Sequence, residues 1–233
     1  MLAPAKLTLS LRVVGTRGDG LHLLDAEMVT LELADVLHLA PGSGLEVVGP
    51  RAEGVPTGEE NLVCRALAVV GRAARVRLEK HVPAGAGLGG GSADAAAVLR
   101  WAGCDDLALA AALGADVPFC LVGGRAQVTG VGEVVEPLAF EDRRFTLLVP
   151  PVAVPTAAVF RAWDELGGPR AKGANDLEPA ALAVAPELAV WRDRLGEVSG
   201  AVPTLAGSGS AWFVEGEFPG ADRIVTRTVP APS

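Results

Sequence analysis

Apolar and polar residues alternate with a period of two over the first part of the chain, and helical patterns become frequent after residue 60. The alternation predicts strands at 6–14, 23–33, 34–39, 44–48, 74–79 and 145–149. Helical patterns predict helices at 61–70, 92–101, 107–113, 156–166, 176–183 and 186–194. Two strand pairs are also predicted, 119–122 with 125–128 and 202–205 with 211–214. Strands and helices in no regular alternation predict an α+β fold rather than a parallel doubly wound sheet.

The length of 233 residues allows one large domain or two modest ones, and an apolar content of 50% is that of an ordinary globular protein. The composition changes after Phe140, where a charged stretch at 141–144 leads into an apolar strand. This change predicts a domain boundary that divides the chain into domains 1–144 and 145–233.

The acidic balance of the chain limits its partners. Nucleic acids and anionic membranes bind clustered Lys and Arg, so a net charge of −8 argues against both. The N-terminus lacks the features of a signal peptide and no apolar run reaches the ~18–20 residues of a membrane span, so we expect a cytoplasmic protein. Cys64, Cys104 and Cys120 have no metal-type spacing, which predicts reduced, buried thiols rather than disulfides or a zinc site.

Residues 83–96, PAGAGLGGGSADAA, place five glycines and a serine directly before an alanine-rich helical run. Because glycine lacks a Cβ, such a backbone can curve closely around a ligand and direct successive N–H groups at phosphate oxygens. The helix that follows adds the positive end of its dipole. A phosphate-bearing ligand is therefore the first hypothesis for this segment.

Three other interpretations of the glycine loop compete with that hypothesis. A P-loop ends in Gly-Lys-Ser/Thr, but Gly91 is followed by Ser92 with no lysine nearby, so this motif is excluded. Residues 85–90 fit the dinucleotide fingerprint G-x-G-x-x-G, but Pro83 stands where a strand should lead into the turn, and no second strand with an acidic end follows. The third interpretation is a mobile surface loop without a ligand.

Lys6 lies inside an apolar, alternating strand, in a chain whose other lysines are Lys80 and Lys172. An edge-strand lysine that reaches water would explain it without a function. Alternatively, Lys6 has a function, as a cation that neutralises phosphate charge or lowers the pKa of a neighbouring base. The residues alone leave both interpretations open.

Two aspartates and a second glycine loop have similar alternatives. Asp116, in the turn 114–118, is either a turn former or a carboxylate that takes a proton from a substrate hydroxyl, a role worth about 10²- to 10⁴-fold in rate. Asp94, near a helix start, is explained by the helix dipole better than by a metal. The loop 206–211 is either a plain hairpin or a source of amides that bind phosphate or brace the first loop.

Five segments in this order resemble the superfamily of galactokinase, homoserine kinase and mevalonate kinase, the GHMP kinases. They are 3–7 (APAKL), 17–22 (RGDGLH), 83–96, 114–119 (GADVPF) and 207–210 (GSGS). Within the superfamily, the triple-glycine loop, the Asp-Gly-x-His turn and the segments 61–63 and 175–178 most resemble kinases of the non-mevalonate isoprenoid pathway. The resemblance spans nearly the whole chain.

The resemblance implies an N-terminal domain like domain 2 of ribosomal protein S5 and a ferredoxin-like C-terminal domain, with both substrates between them. It implies a kinase that uses ATP and Mg²⁺ to phosphorylate the 2-hydroxyl of the erythritol moiety in a cytidine diphosphate-linked polyol. Asp116 would activate this hydroxyl, with Lys6 beside it. The ATP phosphates would be wrapped by Pro83, Ala84, Gly85, Ala86, Gly87, Leu88, Gly89, Gly90, Gly91, Ser92 and Ala93. The acceptor would be bound by Thr8, His22, Phe160, Gly207 and Ser208.

Two residues depart from the family pattern, since Leu21 replaces the aromatic residue of the Asp-Gly-Tyr-His turn and Thr8 replaces the usual asparagine. Loss of a stacking ring lowers base binding by about 1–3 kcal/mol unless another group replaces it. These departures motivate a second hypothesis, a kinase of the same superfamily with a different acceptor alcohol. A third hypothesis is a non-catalytic nucleotide-binding module, against which the presence of both Lys6 and Asp116 argues.

Overall fold

The computed structural model describes residues 1–232, which form ten β-strands and seven α-helices. The strands are β1 (Leu2–Thr16), β2 (His22–Ala40), β3 (Gly44–Val48), β4 (Arg75–Glu79), β5 (Arg125–Gly130), β6 (Val134–Leu138), β7 (Arg144–Leu148), β8 (Thr204–Leu205), β9 (Trp212–Glu215) and β10 (Arg223–Arg227). The helices are α1 (Leu62–Val69), α2 (Gly90–Ala102), α3 (Leu107–Leu113), α4 (Val117–Val122), α5 (Thr156–Glu165), α6 (Glu178–Val184) and α7 (Leu188–Ser199).

The larger sheet is built on the long antiparallel pair β1 and β2. Its strand order is β3-β4-β2-β5-β6, and β1 pairs with β2. β2 is 19 residues long, so its first half pairs with β5 and its second half with β4. The register of β1 shifts between Pro4 and Lys6 and again between Thr8 and Ser10. Such bulges redirect side chains, and here they flank the segment that carries Lys6 and Thr8.

Helix α2 fixes the end of the glycine loop against the larger sheet. It packs on β1, β2, α1 and α4. Ala93, Ala95, Ala96 and Ala97 of this helix are fully buried. Small side chains allow a helix to approach its neighbours closely in a densely packed interior. The N-terminus of α2 is therefore held beside β1, the strand that carries Lys6.

The smaller sheet has the antiparallel order β10-β7-β9-β8, and α5, α6 and α7 accompany it in the chain. A bridge between Leu11 and Asn175 links β1 to the segment before α6. One hydrophobic cluster contains Leu37 of the larger sheet and the fully buried Trp212 of the smaller sheet. The two sheets therefore share a continuous core.

Most predicted elements are present with small differences at their ends, but three predictions need correction. The segment 119–122 belongs to helix α4 and not to a strand. Its apolar run is too short for periodicity to separate a strand from a buried helix, and Pro118 at the helix start and Gly123 at its end are the signals that the pattern missed. The separate strands at 23–33 and 34–39 are one strand, β2. Strands β6 and β10 lie outside the predicted elements.

The fold also bears on the cysteines and on membrane insertion. Cys120 is buried as predicted, but the prediction was wrong for Cys64 and Cys104, which are partly exposed; all three are free thiols within the described chain. Among residues 1–232 no helix has both the length and the apolar character needed to cross a bilayer.

Candidate active site

The glycine loop connects β4 to α2 and lines a cavity of about 380 Å³. Gly85, Gly87 and Gly89 have φ angles of +67°, +76° and +67°, in the left-handed region that favours glycine. Residues 83–92 line the cavity, whereas Ala93 is fully buried. The backbone that borders this cavity therefore follows a path that requires glycine at alternate positions.

The second glycine loop braces the first. A Cβ on Gly87 would lie 2.0 Å from the carbonyl oxygen of Ala206, so the two loops are in direct backbone contact. The backbone N–H of Ala211 donates to the carbonyl of Ala86 at 3.2 Å. Of the interpretations left open for the loop 206–211, the geometry supports a brace on the first loop rather than an isolated hairpin.

Gly207 and Ser208 line a second cavity of about 330 Å³. The buried Asn175 donates from Nδ2 to the carbonyl of Gly207 at 2.6 Å and to that of Leu205 at 2.9 Å. Ser208 Oγ lies 2.9 Å from Thr156 Oγ1 at the start of α5. The second loop is thus held by a side chain ahead of α6 and by the first residue of α5.

Lys6 is buried between the glycine loop and Asp116. Its exposed fraction is 4%, so it is not an edge-strand lysine that reaches water. Nζ lies 3.4 Å from Asp116 Oδ2 and donates to Thr8 Oγ1 at 3.1 Å. The backbone N–H of Lys6 donates to the carbonyl of Leu88 at 3.0 Å. The ammonium group therefore lies against a carboxylate, and its backbone is tied to the glycine loop.

Asp116 stands where the two cavities meet. It occupies the position before α4, but its side chain caps no backbone amide of the described chain. Its side chain is about a third exposed, at 34%. Asp116, Gly85 and Gly87 line both cavities. A carboxylate in this position can contact a ligand in either cavity.

An aromatic group borders the second cavity. His22 and Phe160 stack with ring centroids 4.8 Å apart and an interplanar angle of 24°. His22 Nε2 lies 2.8 Å from Asp164 Oδ1, and the ring of Trp163 meets that of His22 edge-on at 5.5 Å. Phe160 lines the cavity, and Leu21 beside His22 in the chain is half exposed. Trp163 was not predicted, although its spacing of three from Phe160 places both on one helix face.

A buried charged cluster that no sequence pattern predicted lies next to the glycine loop. Lys80 Nζ forms ion pairs with Asp35 and, at 2.7 Å, with Asp94 Oδ2. All three side chains are nearly fully buried. Burial raises the pKa of Asp94 to about 7. Burial alone would lower the pKa of Lys80, but the charges of Asp94 and Asp35 raise it above its ordinary value. Asp94 is therefore an ion-pair partner, not simply a charge on the helix dipole.

Comparison with known proteins agrees with this arrangement. Residues 61–124, which include the glycine loop and Asp116, match the family model of the N-terminal domain of GHMP kinases. A 4-diphosphocytidyl-2-C-methyl-D-erythritol kinase from Dinoroseobacter shibae is 42% identical over 97% of this chain and 88% of its own length. One of the same name from Cereibacter sphaeroides is 40% identical over 91% of this chain and 87% of its own.

A solved structure agrees with the sequence relatives. The crystal structure of a 4-(cytidine 5'-diphospho)-2C-methyl-D-erythritol kinase has a TM-score of 0.78 and 36% identity, over 98% of this chain and 99% of that one. The predicted α+β fold of the GHMP kinases is thereby confirmed. The chain belongs to the 4-diphosphocytidyl-2-C-methyl-D-erythritol kinases, a family of phosphotransferases within the GHMP kinases.

Proposed function

We propose that this chain transfers the γ-phosphoryl group of ATP to the 2-hydroxyl of 4-diphosphocytidyl-2-C-methyl-D-erythritol, a step of the non-mevalonate isoprenoid pathway. The observation that carries the proposal is the carboxylate of Asp116 at the junction of two cavities, with Lys6 Nζ 3.4 Å away. Family membership supplies the reaction class, and the names of the relatives suggest the acceptor.

The first cavity is assigned to the nucleotide. Residues 83–92 present their backbone to it, and α2 starts at its edge. Backbone N–H groups and a helix N-terminus bind phosphate without requiring a basic patch. This suits a chain with a net charge of −8. A Cβ at Gly87 or Gly89 would collide with Ala206 or Lys6, so the cradle depends on the absence of side chains.

The second cavity is assigned to the acceptor. Thr8, Gly207 and Ser208 line it next to Asp116, and they suit the polyol and its hydroxyl groups. The rings of His22 and Phe160 are already in contact, so a base would stack on the cavity side of Phe160 rather than between them. His22 would then orient the Phe160 ring.

The proposed chemistry is an in-line phosphoryl transfer. Asp116 accepts the proton of the acceptor hydroxyl while the oxygen of that hydroxyl forms a bond to the γ-phosphorus of ATP. The bond from that phosphorus to the bridging oxygen breaks, and ADP leaves with the bonding electrons. The ammonium group of Lys6 counters the charge on the transferring group, a form of stabilisation that dominates in such reactions.

Mg²⁺ is the expected companion of ATP, and the donor set fits it. In phosphoryl-transfer sites Mg²⁺ is held by one or two carboxylates together with phosphates and water. Outside the buried cluster, the carboxylates that line the first cavity within the described chain are Glu60 and Asp116. Since Asp116 is assigned as the base, Glu60 would hold the ion, which when bound neutralises charge on the ATP phosphates.

A second candidate is a kinase of the same family with a different acceptor alcohol. Leu21 is 49% exposed and offers no ring for stacking, and one lone pair of Thr8 Oγ1 is already used by the hydrogen bond from Lys6. Both features weaken specific recognition of the cytidine-linked substrate. A non-catalytic nucleotide-binding module is disfavoured by the contact between Lys6 and Asp116.

The domain division and the location of the protein also remain proposals. Residues 1–144 contain every strand of the larger sheet, and residues 145–233 contain most of the smaller one. This distribution supports domains 1–144 and 145–233. The use of ATP as a substrate supports a cytoplasmic location.

The test of this function is ADP release from MgATP in the presence of different acceptors. We expect turnover with 4-diphosphocytidyl-2-C-methyl-D-erythritol, little with the same polyol phosphate without cytidine, and none above background in Asp116→Ala. Equal turnover without cytidine would support the different-acceptor candidate. ADP binding without turnover on any acceptor alcohol would support the non-catalytic module.

A further inference from the structure

Lys80 lies at the base of the glycine loop, directly after β4, and bridges carboxylates from two other elements. Its Nζ pairs with Asp35 of β2 and with Asp94 of α2. Asp35 Oδ1 also accepts hydrogen bonds from the backbone N–H groups of His81 at 2.5 Å and Val82 at 2.8 Å. The cluster therefore fixes the residues just before the loop, and the helix just after it, to the central strand of the sheet.

The backbone of Lys80 is held as firmly as its side chain. Its N–H donates to the carbonyl of Val48 at 2.8 Å, and its carbonyl accepts from the N–H of Arg51 at 3.1 Å. A Cβ on Gly49 would lie 2.7 Å from the Lys80 carbonyl oxygen, so the backbone just after β3 lies close against the backbone just after β4. The exposed fraction of Lys80 is 3%, so its ammonium group is almost fully shielded from water, although Lys80 and Asp94 both border the first cavity.

The far side of the loop contacts the catalytic lysine. A Cβ on Gly89 would lie 2.7 Å from Lys6 Cγ, and one on Gly90 would lie 3.3 Å from Asp35 Oδ2. Adjacent loop residues thus touch the buried cluster on one side and Lys6 on the other. A displacement of the loop would therefore change the position of Lys6 relative to Asp116.

Stability alone gives a weak reason for this cluster. One ammonium and two carboxylates are removed from water, and replacement of buried ion pairs by apolar groups is often neutral or stabilising. Among the described residues, Asp94 Oδ1 has no hydrogen-bond partner. Burial raises the pKa of Asp94 to about 7, which shows that its charged form is disfavoured here. The cluster is costly to bury, but its geometry joins three elements at one point.

We propose that Lys80 is a positioning residue which, through Asp35 and Asp94, holds the glycine loop in the shape that binds nucleotide phosphates. This inference rests on the proposed function for the identity of the nucleotide. The cluster then affects nucleotide binding through the backbone of the loop. This effect is separate from the proton transfer at Asp116.

A matched pair of variants at Asp94 tests the bridge. Asp94→Asn and Asp94→Ala remove the same charge, but Asn keeps an oxygen that can accept from Lys80 Nζ. We expect Asp94→Ala to weaken MgADP binding, measured by calorimetry, by about tenfold or more, and Asp94→Asn to recover most of that loss. The KM for the acceptor should change less than about twofold in either variant. Arg125→Ala, which breaks a half-buried ion pair with Glu27 in the same sheet, should leave MgADP binding unchanged.

Two results would overturn the inference: MgADP affinity of Asp94→Ala equal to that of the wild type, or an equal loss in Asp94→Asn and Asp94→Ala. If Asp94→Ala does not fold, Lys80→Gln replaces it, because its shorter side chain cannot bridge both carboxylates, and the same loss is expected. The calorimetric measurement needs no acceptor. If the wild type shows no turnover on the proposed acceptor, the proposed function is refuted. The positioning role of Lys80 is still decided by the MgADP affinities of the variants.

Discussion

Lys6 Nζ lies 3.4 Å from Asp116 Oδ2, at the point where the two cavities share a wall. The lysine comes from the first strand and the aspartate from the start of α4, so the fold brings together two residues that are far apart in the chain. Lys6 also contacts Leu88 and Gly89 of the glycine loop. One buried cation therefore connects the phosphate loop to the proposed base.

Replacement of Lys6 by Met should reduce kcat by about 10²- to 10³-fold, because a preorganised charge next to the transferring group is lost. Lys172→Met, at an exposed lysine, is the matched control and should behave as the wild type. Steady-state ADP release measures both variants. A Lys6→Met enzyme with near-wild-type kcat would remove Lys6 from the reaction.

The loop glycines should differ in their tolerance of alanine. Gly85 and Gly87 both have positive φ, so each alanine costs about 1–2 kcal/mol of backbone strain. At Gly87 the Cβ would also meet the Ala206 carbonyl oxygen at 2.0 Å, whereas at Gly85 no heavy atom of residues 1–232 outside Gly85 and its two chain neighbours would lie within 4 Å of the Cβ. Gly87→Ala should therefore lose more MgADP affinity and more stability in urea than Gly85→Ala. Equal losses would show that contact between the two loops is unimportant.

Phe160→Ala should raise the KM for the cytidine-linked acceptor by about tenfold or more, because a base–aromatic stack is worth about 1–3 kcal/mol. The KM for ATP should stay unchanged, since Phe160 lines only the second of the two cavities described. Phe140→Ala removes a half-exposed phenylalanine elsewhere and serves as the control. If the KM for the acceptor does not change in Phe160→Ala, the cytosine lies elsewhere.

Asp94 should make stability depend on pH. Burial raises its pKa from an ordinary 3.8 to about 7 in the folded protein. Between these values the folded state keeps a proton that the unfolded state releases, so the contribution of Asp94 is complete below about pH 4 and is lost as pH rises through about 7. Its charged neighbours are Lys80 and Asp35.

The variant Asp94→Asn cannot titrate at this position. As the pH rises from about 5 to about 8, the wild type should therefore lose on the order of 1–3 kcal/mol of unfolding free energy that the variant does not lose. Thermal unfolding of both proteins at the two pH values measures this loss. A difference in Tm that is the same at both pH values would contradict the raised pKa.

The sequence predicted the fold class and the loop because their signals are local or belong to recognisable motifs. The glycine loop and Asp116 lie in such motifs, and the structure brings Asp116 next to Lys6. The pairing of Lys80 with Asp35 was not predictable in this way, because the two residues are 45 positions apart and meet through the register of β2 and β4. Residues 119–122, the last four of α4, were predicted as a strand because so short an apolar run has no decisive period.

The most direct test of the account is the turnover of 4-diphosphocytidyl-2-C-methyl-D-erythritol by the wild type and by Asp116→Asn at saturating MgATP, with MgADP binding measured on both. We expect a kcat about 10²- to 10⁴-fold lower in the variant, because the proton acceptor is lost, and MgADP affinity within about twofold of the wild type. Wild-type turnover in Asp116→Asn would contradict the assignment of Asp116 as the base.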